Sequence, residues 1–160
     1  MNSSSPVLIG LGTNLGQRKK NLELARAELD RFCEKLEASS IIETKPVGIS
    51  SKNDFLNQVV CLHAASFETP AATLKTLIEL ELKLGRDRKK NAPDRVIDLD
   101  LLYFGQQVCS SEPILPHPRL QERLFVLEPL VELVPDFRHP VFGKTQQQLL
   151  ADLKKRKRVG

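Results

Sequence analysis

An α+β fold is the class this sequence predicts, and three observations predict it. Short apolar and β-branched runs read as strands at residues 7–11, 39–44 and 55–62 and within 94–104. Two longer stretches, Arg18 to Lys35 and Thr69 to Leu84, repeat apolar residues at the helical period. No clear parallel strand–helix–strand repeat links them, which argues against a doubly wound sheet.

Val7 to Leu11 is a buried first strand closed by the turn Gly12-Thr13-Asn14-Leu15-Gly16. Its glycines are spaced one residue too far for G-x-G-x-x-G, so a dinucleotide fingerprint is not met. Leu22, Ala25, Leu29, Phe32, Cys33 and Leu36 give the first helix its apolar stripe. Ser39 to Thr44 reads as a strand entering a loop set by Pro46 and Gly48, and Phe55 to Leu62 as a third strand. Asn57 on that strand either holds a flat heterocycle beside Phe55 or only ends a ladder.

Thr69 as N-cap, Pro70 in the first turn and Gly85 as the stop frame the second helix, whose buried face carries Leu74, Leu77 and Ile78. Glu81 extends that stripe, so its carboxylate needs a partner, either a loop arginine or a ligand donor. Beyond the Asp94–Phe104 run, Gly105-Gln106 turns into a short arm, and the prolines on both sides of His117 hold its backbone extended. His117 is either a placed functional side chain or a structural one. Leu124 to Val134 reads as a helix interrupted at Pro129, and Gln146 to Lys155 as a terminal helix.

A chain of 160 residues with 41% hydrophobic content suits a single domain over residues 1–160. Its net charge of +4 comes from Lys154, Lys155, Arg156, Lys157 and Arg158, without which the balance is −1. The 154–160 tail is expected to be a frayed, solvated end and not a nucleic-acid site. Three widely spaced cysteines with no C-x-x-C fit reduced thiols better than a disulfide framework or a zinc site. No secretory leader and no membrane-length apolar run is evident, so a cytoplasmic, monomeric protein without membrane contacts is expected.

The chemistry concentrates in Asp94-Arg95-Val96-Ile97-Asp98-Leu99-Asp100-Leu101-Leu102. On a strand, Asp98 and Asp100 share one face with Cβ atoms roughly 7 Å apart, and Ile97, Leu99 and Leu101 take the other. Two anions so close need a cation. Arg86, Arg88, Lys89, Lys90 and Arg95 supply several, and two readings follow: an internal salt-bridge network, or a polyanion site reached through Mg²⁺. The surplus of basic residues in the Gly, Pro and Asn-containing stretch from Gly85 to Pro93 favours a mobile phosphate-binding loop.

The segments Gly10-Leu11-Gly12-Thr13-Asn14-Leu15-Gly16, Glu43-Thr44-Lys45-Pro46-Val47-Gly48, Asp54-Phe55-Leu56-Asn57, Gly85-Arg86-Asp87-Arg88, Arg95-Val96-Ile97-Asp98-Leu99-Asp100, Pro116-His117-Pro118 and Arg123-Leu124-Phe125 together resemble the 6-hydroxymethyl-7,8-dihydropterin pyrophosphokinases of folate biosynthesis. The resemblance spans about residues 7 to 142 and implies a ferredoxin-like α+β fold, a mainly antiparallel sheet flanked by helices, with mobile loops over the active site. It implies transfer of the diphosphate of ATP to the pterin hydroxymethyl group, with AMP released.

By resemblance, Asp98 and Asp100 are ligands of two Mg²⁺ ions, and Arg88 and Arg95 act with them in catalysis. Glu81, Arg86, Arg88, Leu101, His117 and Arg123 correspond to ATP contacts, and Thr44, Val47, Phe55, Asn57 and Phe125 to pterin contacts. Docking with a downstream folate enzyme stays open. The chain departs from many relatives in lacking a tryptophan where Asn91-Ala92-Pro93 stands, in Phe55 for a tyrosine and in Pro118 after the histidine. Two other classes fit less well: another Mg²⁺-dependent transferase, and an RNA-binding module, whose aromatic-rich strand is missing.

Overall fold

The computed structural model describes residues 5–46 and 48–159. Strands β1 (Val7–Thr13), β2 (Lys35–Ala38), β3 (Ile42–Thr44), β4 (Phe55–His63) and β5 (Asp98–Phe104) form one antiparallel sheet. The order is β2-β4-β1-β5, with β3 also paired to β4. Helix α1 (Arg18–Asp30) leads from β1 to β2 and α2 (Pro70–Lys83) leads from β4 to β5, each passing over a strand that lies between the two it joins. These two split β-α-β units are the ferredoxin-like arrangement. Helices α3 (Leu124–Leu133) and α4 (Gln146–Val159) follow.

Strand alternation sorts the side chains into two cores. Ile9 and Leu11 of β1, Val60 and Leu62 of β4, and Ile97, Leu99 and Leu101 pack under Leu22 and Leu29 of α1 and Leu77 of α2. On the other face Leu8, Val59, Cys61 and Leu102 meet Leu127 and Leu130 of α3 and Leu149 and Leu153 of α4. Register shifts where Leu8 pairs with Tyr103 but Ile9 with Leu101, skipping Leu102. This bulge turns both Leu102 and Tyr103 toward the α3–α4 side and returns Phe104 to the α1–α2 side.

Helix α2 starts as expected, with Thr69 Oγ1 accepting from Ala72 N at 3.1 Å and Pro70 in the first turn; it gives way at Leu84 before Gly85, whose φ is +106°. Helix α1 is shorter than its periodicity predicts. It ends at Asp30, and Lys35–Ala38 is an edge strand whose Leu36 pairs with Leu62. Phe32, Cys33 and Leu36 pack on the core although the helix ends before them, so the apolar stripe alone could not mark the break. The strand expected from Ser39 begins at Ile42, because Ser39 Oγ accepts the Val59 N–H at 3.0 Å in place of a regular ladder bond. Pro129 sits inside α3 without ending it, and the basic residues 154–158, expected to fray, continue α4 with exposed side chains.

Candidate active site

Paired residues in a sheet point to the same side, so the register places the candidate residues relative to one another. Ile42 pairs with Asn57, Asn57 with Gly12, and Gly12 with Asp98; Gly10 pairs with Asp100, and Thr44 with Phe55. Asn57, Gly12 and Asp98 thus form a row across β4, β1 and β5, spanning about 10 Å at the usual strand spacing. The expected common face for Asp98 and Asp100 is borne out, with Ile97, Leu99 and Leu101 buried behind it.

Gly12 is the floor of this shelf. A Cβ there would touch Asn57 Oδ1 at 3.7 Å, the Phe55 ring at 3.8 Å and the Asp98 Cβ at 4.0 Å. It would fill the space between the amide and the carboxylate. The sequence pattern puts Gly10 within the first strand and Gly12 in the turn after it, whereas both lie within β1, opposite the two carboxylates; glycine at every second residue facing D-x-D is the signal that marks the floor.

At the β4 end, Asn57 Nδ2 donates to Thr44 Oγ1 at 2.8 Å and to the Ile42 carbonyl at 3.2 Å. Both bonds fix the amide orientation and leave Oδ1 as an outward acceptor. Asn57 therefore presents one polar function to the shelf, an acceptor, because both hydrogens of its amide are already donated. Phe55 and Phe125 are both partly exposed, and Phe125 has the Arg123 guanidinium 5.8 Å from its ring centre. Val47 lies outside the described residues.

At the β5 end the two carboxylates have unlike surroundings. Asp98 is held by Arg86 Nη1 at 2.8 Å and, more loosely, by Arg95 Nη1 at 3.6 Å. The Asp100 carboxylate has no hydrogen-bond partner among the described residues. Burial first, then the charge of Asp98, pushes its carboxyl up to about 7, against the weaker pull of Arg123. Among the described residues no three His, Cys, Asp or Glu side chains converge, so a cation here would have two protein carboxylates and take its other ligands from phosphate and water. That donor set suits Mg²⁺.

Three expected nucleotide contacts stand differently from the expectation. Glu81 is 4% exposed and both its oxygens are taken: Oε2 by the Leu99 N–H at 2.7 Å and Arg86 at 2.9 Å, Oε1 by Arg88 at 3.4 Å. It caps the free edge of β5 and answers the open question of its partner in favour of the loop arginines and the backbone. Burial raises its pKa, opposed by the Leu99 N–H and by Arg86. The Arg86 side chain is 10% exposed and bridges Glu81 to Asp98, so it is not a free loop cation. Leu101 lies in the α1–α2 core, on the face opposite the carboxylates, and its side chain does not reach the shelf.

Arg88, 67% exposed in its side chain and held only by a long 3.4 Å contact to Glu81, is open to a ligand, as is Arg95 at 33%. His117 is tied to β5 through its N–H, which donates to the Leu102 carbonyl at 2.9 Å. Its Nδ1 accepts from the Arg119 N–H at 3.2 Å, and burial together with nearby Arg123 holds the ring below its usual pKa. The neutral imidazole therefore carries its hydrogen on Nε2. Two concavities, of about 590 and 450 Å³, lie around Arg18 and Glu43 and are lined by none of these residues.

Residues 8–135 match the family model described as 7,8-dihydro-6-hydroxymethylpterin-pyrophosphokinase. The 2-amino-4-hydroxy-6-hydroxymethyldihydropteridine pyrophosphokinase of Synechocystis is 37% identical over 146 residues, covering 89% of this chain and 73% of that one. Its Bacillus subtilis counterpart is 39% identical over 128 residues, covering 78% and 75%. A Plasmodium falciparum HPPK-DHPS crystal structure superposes with a TM-score of 0.74 at 15% identity, which supports the fold; the chain spans 45% of its length. With the matched region running from β1 through α3, the chain belongs to the 7,8-dihydro-6-hydroxymethylpterin-pyrophosphokinase family.

Proposed function

We propose that the chain transfers the terminal diphosphate of ATP to the hydroxymethyl oxygen of 6-hydroxymethyl-7,8-dihydropterin. The observation that carries this reading is the row Asn57–Gly12–Asp98, a flat floor with an amide acceptor at one end and an acidic pair at the other. A bicyclic ring with a one-carbon arm fits that span. In the step itself the pterin oxygen bonds to the β-phosphorus, the bond from that phosphorus to the α,β-bridging oxygen breaks, and the hydroxyl proton is lost. AMP leaves with the bridging oxygen.

Asn57 Oδ1 accepts from a ring N–H, and the Thr44 hydroxyl, already accepting from Asn57, has its own hydrogen for a ring nitrogen or carbonyl. Phe55 and Phe125 supply the stacking faces. Asp98 and Asp100 would hold Mg²⁺, with two ions as the proposed count, and a cation bound there would supply charge neutralisation at the phosphates and a lowered pKa for the attacking hydroxyl. Arg88 and Arg95 offset charge as the bridge breaks, and His117 Nε2–H and Arg123 hold the nucleotide. Arg86 occupies only Oδ1 of Asp98, which leaves Oδ2, with Arg95 no closer than 3.6 Å, as the oxygen that would face the metal.

Product analysis tests the reading. Purified protein with ATP, Mg²⁺ and the pterin is expected to form AMP and pterin diphosphate in equal amounts. Formation of ADP, or AMP without pterin diphosphate, refutes it.

A further inference from the structure

Asp94 stands one residue before Arg95, and its carboxylate gathers two separate pieces of chain, Asn14 after β1 and the 51–53 loop. Oδ1 accepts from Asn14 Nδ2 at 3.0 Å and from the Ser51 hydroxyl, and Oδ2 accepts from Asn53 Nδ2 at 3.1 Å. The Asn53 N–H in turn donates to Ser51 Oγ at 3.1 Å. Asn14, 2% exposed, closes the circuit: its Oδ1 accepts the Arg95 N–H at 2.6 Å and its own N–H donates to the Arg95 carbonyl at 3.0 Å. No cation pairs with Asp94 among the described residues, so neutral donors alone meet its charge.

Among the described residues, every hydrogen bond between 45–54 and 84–97 ends on Asp94. The first segment enters β4 at Phe55, and the second carries Arg95, 3.6 Å from Asp98. We infer that Asp94 is a positioning residue that couples the pterin side of the shelf to the arginine and metal side, acting through Asn14, Ser51 and Asn53. This rests on the proposed pyrophosphokinase reading for its meaning, though the network can be tested without turnover. A side-chain network of this kind transmits order because loss of one member leaves the others short of a partner.

The test uses Asp94→Ala, Asn53→Ala, Asp94→Asn, and Asp94→Asn combined with Asn53→Asp. Asn53 is an exposed loop residue, so its variants keep the question open to measurement even if Asp94→Ala folds poorly. Asp94→Ala is expected to lower kcat and raise the pterin KM, each by about tenfold, the size of one charge-assisted hydrogen bond, with the ATP KM within about twofold. Asp94→Asn alone sets two amide NH₂ groups face to face. The swap restores a carboxylate–amide pair and should recover the wild-type values to within about threefold. Amide exchange over residues 48–54 in the unliganded protein should quicken in Asp94→Ala and recover in the swap. Unchanged exchange, or losses that the swap does not recover, would overturn the inference. Absence of AMP formation by the wild type would count against the proposed function alone, since exchange still judges Asp94.

Discussion

Replacing Asp100 with asparagine is expected to stabilise the protein while removing its activity, because the charge that would bind metal is a burden to the unliganded fold. The carboxyl is pushed from 3.8 to about 7 by burial and by Asp98. A shift of that size sets a ceiling of about 4 kcal/mol on what ionising Asp100 costs the native state. Sharing of the effect with Asp98 and desolvation of the new amide bring the expected gain to about 1–2 kcal/mol. The sign follows from proton binding: the native state holds the proton up to about pH 7 and the unfolded chain releases it near pH 4. Wild-type stability therefore falls as pH rises through that window, and asparagine has no such slope. Urea unfolding without metal, at pH 4 and pH 8, measures this as the difference in midpoints. A variant no more stable than wild type at pH 8 would show that Asp100 is not a desolvated member of a like-charged pair.

Glu81→Ala should destabilise by about 3–5 kcal/mol in urea, because it strands Arg86 and the Leu99 N–H, whereas Glu81→Gln keeps an acceptor and should cost about 1–2 kcal/mol. Equal costs would mean the carboxylate charge is irrelevant there. Since Mg²⁺ competes with the Asp100 proton, apparent Mg²⁺ affinity should rise about tenfold from pH 6 to pH 8 and level off above, read by calorimetry with a non-hydrolysable ATP analogue. A flat profile contradicts the assignment of Asp100. Arg88→Ala should slow single-turnover transfer by about 10–100-fold with pterin affinity within about twofold, and the reverse pattern would misplace Arg88.

What the sequence made legible was what local chemistry decides. Thr69-Pro70 and Gly85 bound α2 as capping rules require, and alternation alone put Asp98 and Asp100 on one face. Lys35–Ala38 was hidden because its apolar residues satisfy a helix and a strand equally, and only pairing with β4 chooses. At the site, residue type was informative and pairing was not. Nothing in the order of residues says that Arg86 turns inward to Glu81 and Asp98 while Arg88, two positions on, stays exposed. The outward Asn57 acceptor likewise depends on Ile42 and Thr44, which are distant in sequence. Gly12 is meaningful only once the register sets it between Asn57 and Asp98.

A crystal grown with Mn²⁺ and a non-hydrolysable ATP analogue, examined by anomalous scattering, bears most directly on the acidic pair. Metal density within about 2.2 Å of carboxylate oxygens of both Asp98 and Asp100, with phosphate oxygens completing the shell, is the predicted outcome. Asp98 still bound to Arg86 and Arg95, with metal and nucleotide seated elsewhere, would contradict it.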